Sequence, residues 1–264
     1  MSVRYVAIGD SFTEGVGDER EDGPPRGWAD LVAAGLAVAA GEPISYANLA
    51  VRGRLLADIT GPQLDAALAL DPAPTLVTLN GGGNDMLRPR TDVAALARQS
   101  ERVVDRCAAA GVRLVLISGA DPSGGLPLGR VVHRRAEELT AHVARLAAER
   151  DLDFVDVFHD VELHRPAYWS PDRLHLNADG HRRAAGLILA GVLGDGAPPV
   201  LALDPAPAPV RGRREQVDYY REHVLPWVGR HVRGRSSGDG VSPKHPDWVS
   251  VSPRGAERGA VELG

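Results

Sequence analysis

Five short apolar runs, each followed by a longer segment of helical periodicity, constrain this chain more than any other feature. The runs are 3–9 (VRYVAIG), 43–50 (PISYANLA), 74–80 (PTLVTLN), 112–118 (VRLVLIS) and 153–158 (DFVDVF). Each is too short for a helix, and the first, third and fourth are nearly all apolar, as strands buried on both faces should be. Between and after them, 27–41, 54–70, 92–111, 128–151 and 177–194 carry helical spacing, the first and third of these ending in glycine. Pro62 interrupts the second helical segment and predicts a kink or break there. Strands alternating with helices imply a parallel sheet with helices on both faces, hence an α/β fold with five parallel strands. Ligands bind such sheets at the carboxyl ends of the strands, so the loops that follow the strands carry the functional content.

Four of those loops carry chemistry. After the first strand comes Gly9-Asp10-Ser11; after the second, NLAVRGR with Gly53; after the third, NGGGND with Asn84; and after the fifth, SPDRLHLNADGH with Asp172 and His175. Each has an ordinary explanation when taken alone. Gly-Asp-Ser is common turn or helix-cap composition, Gly-Gly-Asn-Asp can be a capped turn, and Asp172 with His175 can be a solvated pair. Together they fit one mechanism. A serine hydroxyl is a weak nucleophile at neutral pH and needs a general base, which His175 can supply. Asp172, three residues earlier, can hold the other ring nitrogen and fix the tautomer. The oxyanion of an acyl-transfer intermediate needs preorganised donors, which the backbone N–H groups of Ser11 and Gly53 and the Asn84 amide can provide.

The four blocks resemble those of the SGNH hydrolases, the GDSL-type esterases and lipases. Gly9-Asp10-Ser11 stands where that family carries its serine, with Phe12 where leucine is usual. NLAVRG resembles the glycine block and assigns Gly53; Gly82-Gly83-Asn84-Asp85 matches the Gly-x-Asn-Asp block and assigns Asn84; Asp172-Arg173-Leu174-His175 matches the Asp-x-x-His block. The order and spacing agree over residues 3–194. The resemblance implies a three-layer α/β/α, flavodoxin-like hydrolase fold with no metal and no organic cofactor. It also implies hydrolysis of an ester, thioester or amide through an acyl-enzyme on Ser11. The catalytic residues would be Ser11, Asp172 and His175, and the oxyanion hole Ser11, Gly53 and Asn84. Acyl transfer to an alcohol would use the same residues. A binding scaffold without catalysis is the reading from another class, and the intact Ser11, Asp172, His175 and Asn84 argue against it.

Other functions find less support. The glycine run 81–83 lacks the Gly-Lys-Ser/Thr ending of a phosphate loop, and no G-x-G-x-x-G opens a helix after the first strand. His133, His142, His159, His164 and His181 form no recognisable metal-ligand set. Nothing else in the chain supports Asp10 as an aspartyl nucleophile. A net charge of -5 argues against a general nucleic-acid binder. A single cysteine, Cys107, allows no intramolecular disulfide and reads as a core residue of its helix. No apolar stretch reaches the ~20 residues of a membrane span, and no secretory leader precedes the first strand, so the expected location is the cytoplasm.

The catalytic domain is thus expected over 1–194, acting on a small-molecule ester. A Pro/Ala-rich linker (195–212), a helical extension (213–233) and a disordered tail (234–264), with Trp248 able to dock, complete the expected organisation. Between 211 and 235 seven arginines stand against three acids, which leaves self-association or partner binding through that helix open. The acidic loop 16–28 and the glycine-rich loop 119–129 are expected to border the site. No apolar lid segment is evident, which favours a small or medium ester. Lys244 is the single lysine, which at this level reads as coding bias.

Overall fold

The computed structural model describes residues 2–126, 129–197 and 237–253. The expected helical extension, 213–233, and all but the first residues of the expected linker lie outside them. All five predicted strands form: β1 (Arg4–Ile8), β2 (Ile44–Asn48), β3 (Leu76–Leu79), β4 (Arg113–Ile117) and β5 (Asp153–Val155). They pair in parallel in the order β5-β4-β3-β1-β2. The helices are α1 (Ser11–Glu14), α2 (Gly27–Ala40), α3 (Leu56–Asp58), α4 (Leu64–Leu68), α5 (Gly83–Met86), α6 (Val93–Ala109), α7 (Gly129–Glu149) and α8 (Ala178–Leu193).

Side chains alternate across the sheet, as the pleat requires. Tyr5 and Ala7 of β1 face a core built with Trp28, Val32 and Leu36 of α2 and Ile188 and Leu189 of α8. Val6 and Ile8 face the opposite core, with Leu64 of α4, Val103 and Cys107 of α6 and Leu146 of α7. Three layers result, and Cys107 is buried, as its helical position suggested. The chain breaks direction at β1, flanked by β2 on one side and β3 on the other. Loops after β1 and β3 therefore converge at a topological switch point, where α/β sheets bind ligands.

Two expectations change. Pro62 does not end its helix; it sits in a π-helical segment, Ile59–Gln63, that joins α3 to α4. The wider turn accommodates the missing N–H within a continuous helical path. Secondly, the tail predicted to be disordered contains a sixth strand, β6 (His245–Val251), which pairs antiparallel with the outer edge of β2, Ile44 opposite Val251 and Asn48 opposite His245. The sheet is six-stranded and mostly parallel rather than five-stranded and all parallel. Pro246 and Asp247 obscured this strand in the sequence, yet both are tolerable because only one side of an edge strand needs donors. Trp248 does dock: it packs on the core facing α6, and its Nε1 donates to the Pro72 carbonyl at 3.1 Å.

Just before β6, Lys244 runs inward. Its ammonium, 3% exposed, donates to the carbonyls of Glu14, Pro25 and Arg26 and to Asp30 Oδ2 at 2.6–2.9 Å. A buried ammonium is tolerable only with such full pairing. The sole lysine thus ties the C-terminal strand to the end of α1.

Candidate active site

Ser11 opens α1 directly after β1. Asp10 caps that helix, its Oδ1 accepting from the Phe12 N–H at 3.2 Å. Gly9 is obligatory: a Cβ there would meet Thr13 Oγ1 at 2.2 Å. The Gln63 side-chain amide grips the Gly9 backbone at both ends, accepting from its N–H and donating to its carbonyl, each at 2.9 Å. Phe12 packs against Trp28 and stacks on His181, with ring centroids 5.6 and 5.9 Å apart. An aromatic ring at the usual leucine position therefore fills core space beside the serine. His181 is itself core: its Nδ1 accepts from the Trp28 N–H and its Nε2 donates to the Val16 carbonyl. Burial pushes its imidazole down to about 4, so it stays neutral.

Asp172 and His175 come from the loop between β5 and α8. Asp172 Oδ2 lies 2.6 Å from His175 Nδ1, while Oδ1 accepts from the N–H groups of Leu174 and His175, each at 3.0 Å. The turn that allows this runs through Arg173 at φ 57°, a left-handed conformation that costs a non-glycine residue about 1 kcal/mol. A clasp outside the turn holds it: Ser170 N–H donates to the His175 carbonyl at 2.8 Å, and Asn177 caps α8 immediately afterwards. Partial burial pushes the Asp172 carboxyl up, but the imidazole and the two N–H donors outweigh it and hold the group down at about 2. It is a carboxylate throughout the physiological range.

Asn84 lies in α5, after β3, behind Gly82 at φ 98°. Its Nδ2 donates to Asp10 Oδ2 at 3.1 Å and to the Arg54 carbonyl at 3.0 Å. Both amide protons of Asn84 are thus engaged, and an anion arriving there would have to share or displace one of these acceptors. Asp10 is buried; desolvation pushes its carboxyl up to about 6, only partly offset by the Phe12 N–H and by His175.

Ser11, Asn84 and His175 line one pocket, with Asp172 behind His175. Gly53 is not among the residues lining that pocket. It sits at φ 74° between two anchored neighbours. Arg52 binds the buried Glu14 of α1 through its backbone N–H and guanidinium at 2.5–2.9 Å, and the Arg54 carbonyl receives the Asn84 amide. Gln63, Glu14 and Arg52 thus position the predicted residues, and the sequence reading missed all three. No residue of 16–28 lines the pocket, contrary to expectation; that loop closes on itself through Asp18 and Arg26 at 2.9 Å. Of the other expected wall, Gly119, Ala120 and Pro122 do contribute. Among the described residues no helix is long and apolar enough to cross a membrane.

Several solved structures share the fold. A lipase from a goat rumen metagenome superposes with a TM-score of 0.61 at 17% identity, covering 74% of this chain and 100% of its own. A catalytic mutant of an acetylxylan esterase from Geobacillus stearothermophilus gives 0.61 at 18%, covering 75% and 99%. A lipase/acylhydrolase from Enterococcus faecalis gives 0.56 at 23%, covering 73% and 96%. No curated protein matches the chain. The model of the GDSL-like lipase/acylhydrolase family matches residues 7–183, two thirds of the sequence and every block discussed above. The chain belongs to that family of carboxylic ester hydrolases.

Proposed function

We propose that this protein hydrolyses carboxylic esters with Ser11 as nucleophile, His175 as general base and acid, and Asp172 as the group that orients His175. The observation that carries the reading is the 2.6 Å bond between Asp172 Oδ2 and His175 Nδ1 beside a pocket that Ser11 and His175 both line. With its Nδ1–H donating to the Asp172 carboxylate, the imidazole keeps the lone pair of Nε2 for the serine proton. Ser11 Oγ attacks the acyl carbon as its proton moves to Nε2. The leaving alkoxide takes that proton, and an acyl-serine remains. Water then repeats the steps, and Ser11 recovers its proton. Negative charge on the carbonyl oxygen is met by the Ser11 N–H, the Asn84 amide and the Gly53 N–H. For Gly53, support comes from its left-handed backbone, which favours glycine, and from the anchoring of Arg52 and Arg54 rather than from pocket lining.

The test compares the protein with Ser11→Ala on 4-nitrophenyl acetate and butyrate. Turnover that vanishes in the variant supports the reading. Equal turnover by both proteins would remove Ser11 from the mechanism.

A further inference from the structure

The pocket does not end at the reacting groups. It continues along α7, where Val132, Ala136, Leu139 and Val143 lie on successive turns of one face and all line it. Met86 of α5 and Phe158, after β5, complete the wall. Of these six, Val132, Leu139, Met86 and Phe158 are buried. Among the described lining residues the only ionisable side chains are Asp10 and His175, both at the reacting end. The polar groups elsewhere are largely occupied. Ser118 Oγ accepts from the N–H groups of Val157 and Phe158, and the Asn80 amide donates to the Ile117 carbonyl. A sugar or a charged acyl group would find few partners here, whereas an alkyl chain needs none.

We propose that this chamber is an acyl-chain site and that the enzyme selects straight-chain acyl groups of about six carbons over acetyl groups. The inference rests on the serine mechanism above. Its size follows from the whole pocket, reacting end included, about 140 Å³, so the six carbons count the acyl carbonyl. Apolar protein cavities of about 150 Å³ take up benzene, a six-carbon guest. Its assignment to the acyl half rests on placement. The leaving oxygen must lie beside His175 to receive a proton, and the acyl carbon lies at Ser11 with its oxygen toward Asn84, so the acyl chain runs on the side away from His175. The α7 wall belongs to the Asn84 side, because Leu139 packs on the glycine loop that carries Asn84: a Cβ on Gly82 would lie 2.7 Å from Leu139 Cδ2. Each methylene moved from water into such a chamber is worth about fourfold in kcat/KM. Hexanoyl over acetyl should therefore reach about 10²-fold.

The experiment measures kcat/KM on 4-nitrophenyl esters from acetate to dodecanoate, for the unmodified protein and for Ala136→Phe, which fills the middle of the α7 stripe. Ala136→Leu serves as the milder substitution should the phenylalanine prevent folding. The expected profile rises from acetate to about hexanoate and falls beyond octanoate, and the hexanoate-to-acetate ratio drops at least about tenfold in the variant, as for lost hydrophobic contacts. A profile that falls from acetate onward, or a variant that lowers both esters equally, would overturn the proposal. So would a preference that follows chain length in hexyl acetate against ethyl acetate, which would assign the chamber to the alcohol. A second readout is independent of turnover: calorimetric titration of Ser11→Ala with hexanoate and acetate. Tighter hexanoate binding that Ala136→Phe abolishes supports the chamber even if no ester is cleaved, a result that would count against the nucleophile alone. Equal binding of the two acids refutes the chamber.

Discussion

Replacing Asp172 by asparagine tests the site at its most ordered point. An asparagine Oδ1 can still accept from the Leu174 and His175 N–H groups, so the backbone turn has what it needs. The change falls on the other atom. Where Oδ2 accepted the His175 Nδ1 proton at 2.6 Å, an NH₂ group now donates. The imidazole answers by moving its proton to Nε2 and presenting a lone pair at Nδ1. Nε2 then has no lone pair for the serine proton. In a serine protease the equivalent change costs about 10⁴ in kcat, or about 5.5 kcal/mol of barrier, and the same order is expected here in kcat/KM. A stability effect accompanies it. The Asp172 carboxyl titrates at about 2 instead of 3.8, a difference of about 2 kcal/mol at most, since its side chain is 27% exposed. Because the folded value is the lower one, this stabilisation is complete above about pH 5 and disappears as the pH falls toward 2. Asp172→Asn should therefore lower Tm by about 4–8 °C at pH 7, by about half as much near pH 3 and by little at pH 2. Ester hydrolysis and thermal melts on the same preparations check both effects. A variant within tenfold of the parent at pH 7 would show that Asp172 does not set the His175 tautomer, and the reasoning from the 2.6 Å bond would fail.

Other perturbations have equally definite outcomes. Ser11→Ala should reduce kcat by about 10⁶, measured in a stopped ester assay. Asn84→Ala should cost about 10²–10³ in kcat if its amide leaves Asp10 or Arg54 for the oxyanion, and a loss below tenfold would deny it that role. Asp10 works against the fold in the opposite pH direction from Asp172. Its folded carboxyl titrates near 6, above the ordinary 3.8, so the stability it contributes is full below about pH 4 and falls by about 3 kcal/mol as the pH rises through 6. Urea melts at pH 4, 5.5 and 7 should show this loss, and Asp10→Asn should not show it. Arg52→Ala takes the guanidinium counter-charge from the buried Glu14 carboxylate, leaving it only the residue 52 N–H, and should destabilise the protein by about 3 kcal/mol; chemical denaturation reads this directly.

The layers of the fold were legible because buried parallel strands and amphipathic helices write their periods into contiguous residues. Ser11, the Asp172–His175 pair and Asn84 stood out in the sequence because each sits in a short loop block whose neighbours are fixed by turn geometry. What holds those blocks in place did not. Gln63 reaches Gly9 across 54 residues, and Arg52 reaches Glu14 across 38. Nothing local to either residue signals its target. The strand β6 was missed for a related reason. It pairs on one side only, contains Pro246 and Asp247, and gains its meaning from an edge of β2 some two hundred positions earlier. Lys244 carried no signal beyond being the single lysine, and composition explained that equally well.

That lysine has a consequence for how the protein is made. A chain synthesised from its N-terminus completes Gly9-Asp10-Ser11 more than two hundred residues before Lys244, and domains begin to fold in that order. Yet the carbonyl of Glu14, at the far end of the nucleophile's own helix, is bound by the Lys244 ammonium, 230 residues downstream. Until that residue emerges, Asp30 lacks its counter-charge and β2 its outer neighbour. A segment made early waits for one made 230 residues later before the helix that carries Ser11 is fully seated.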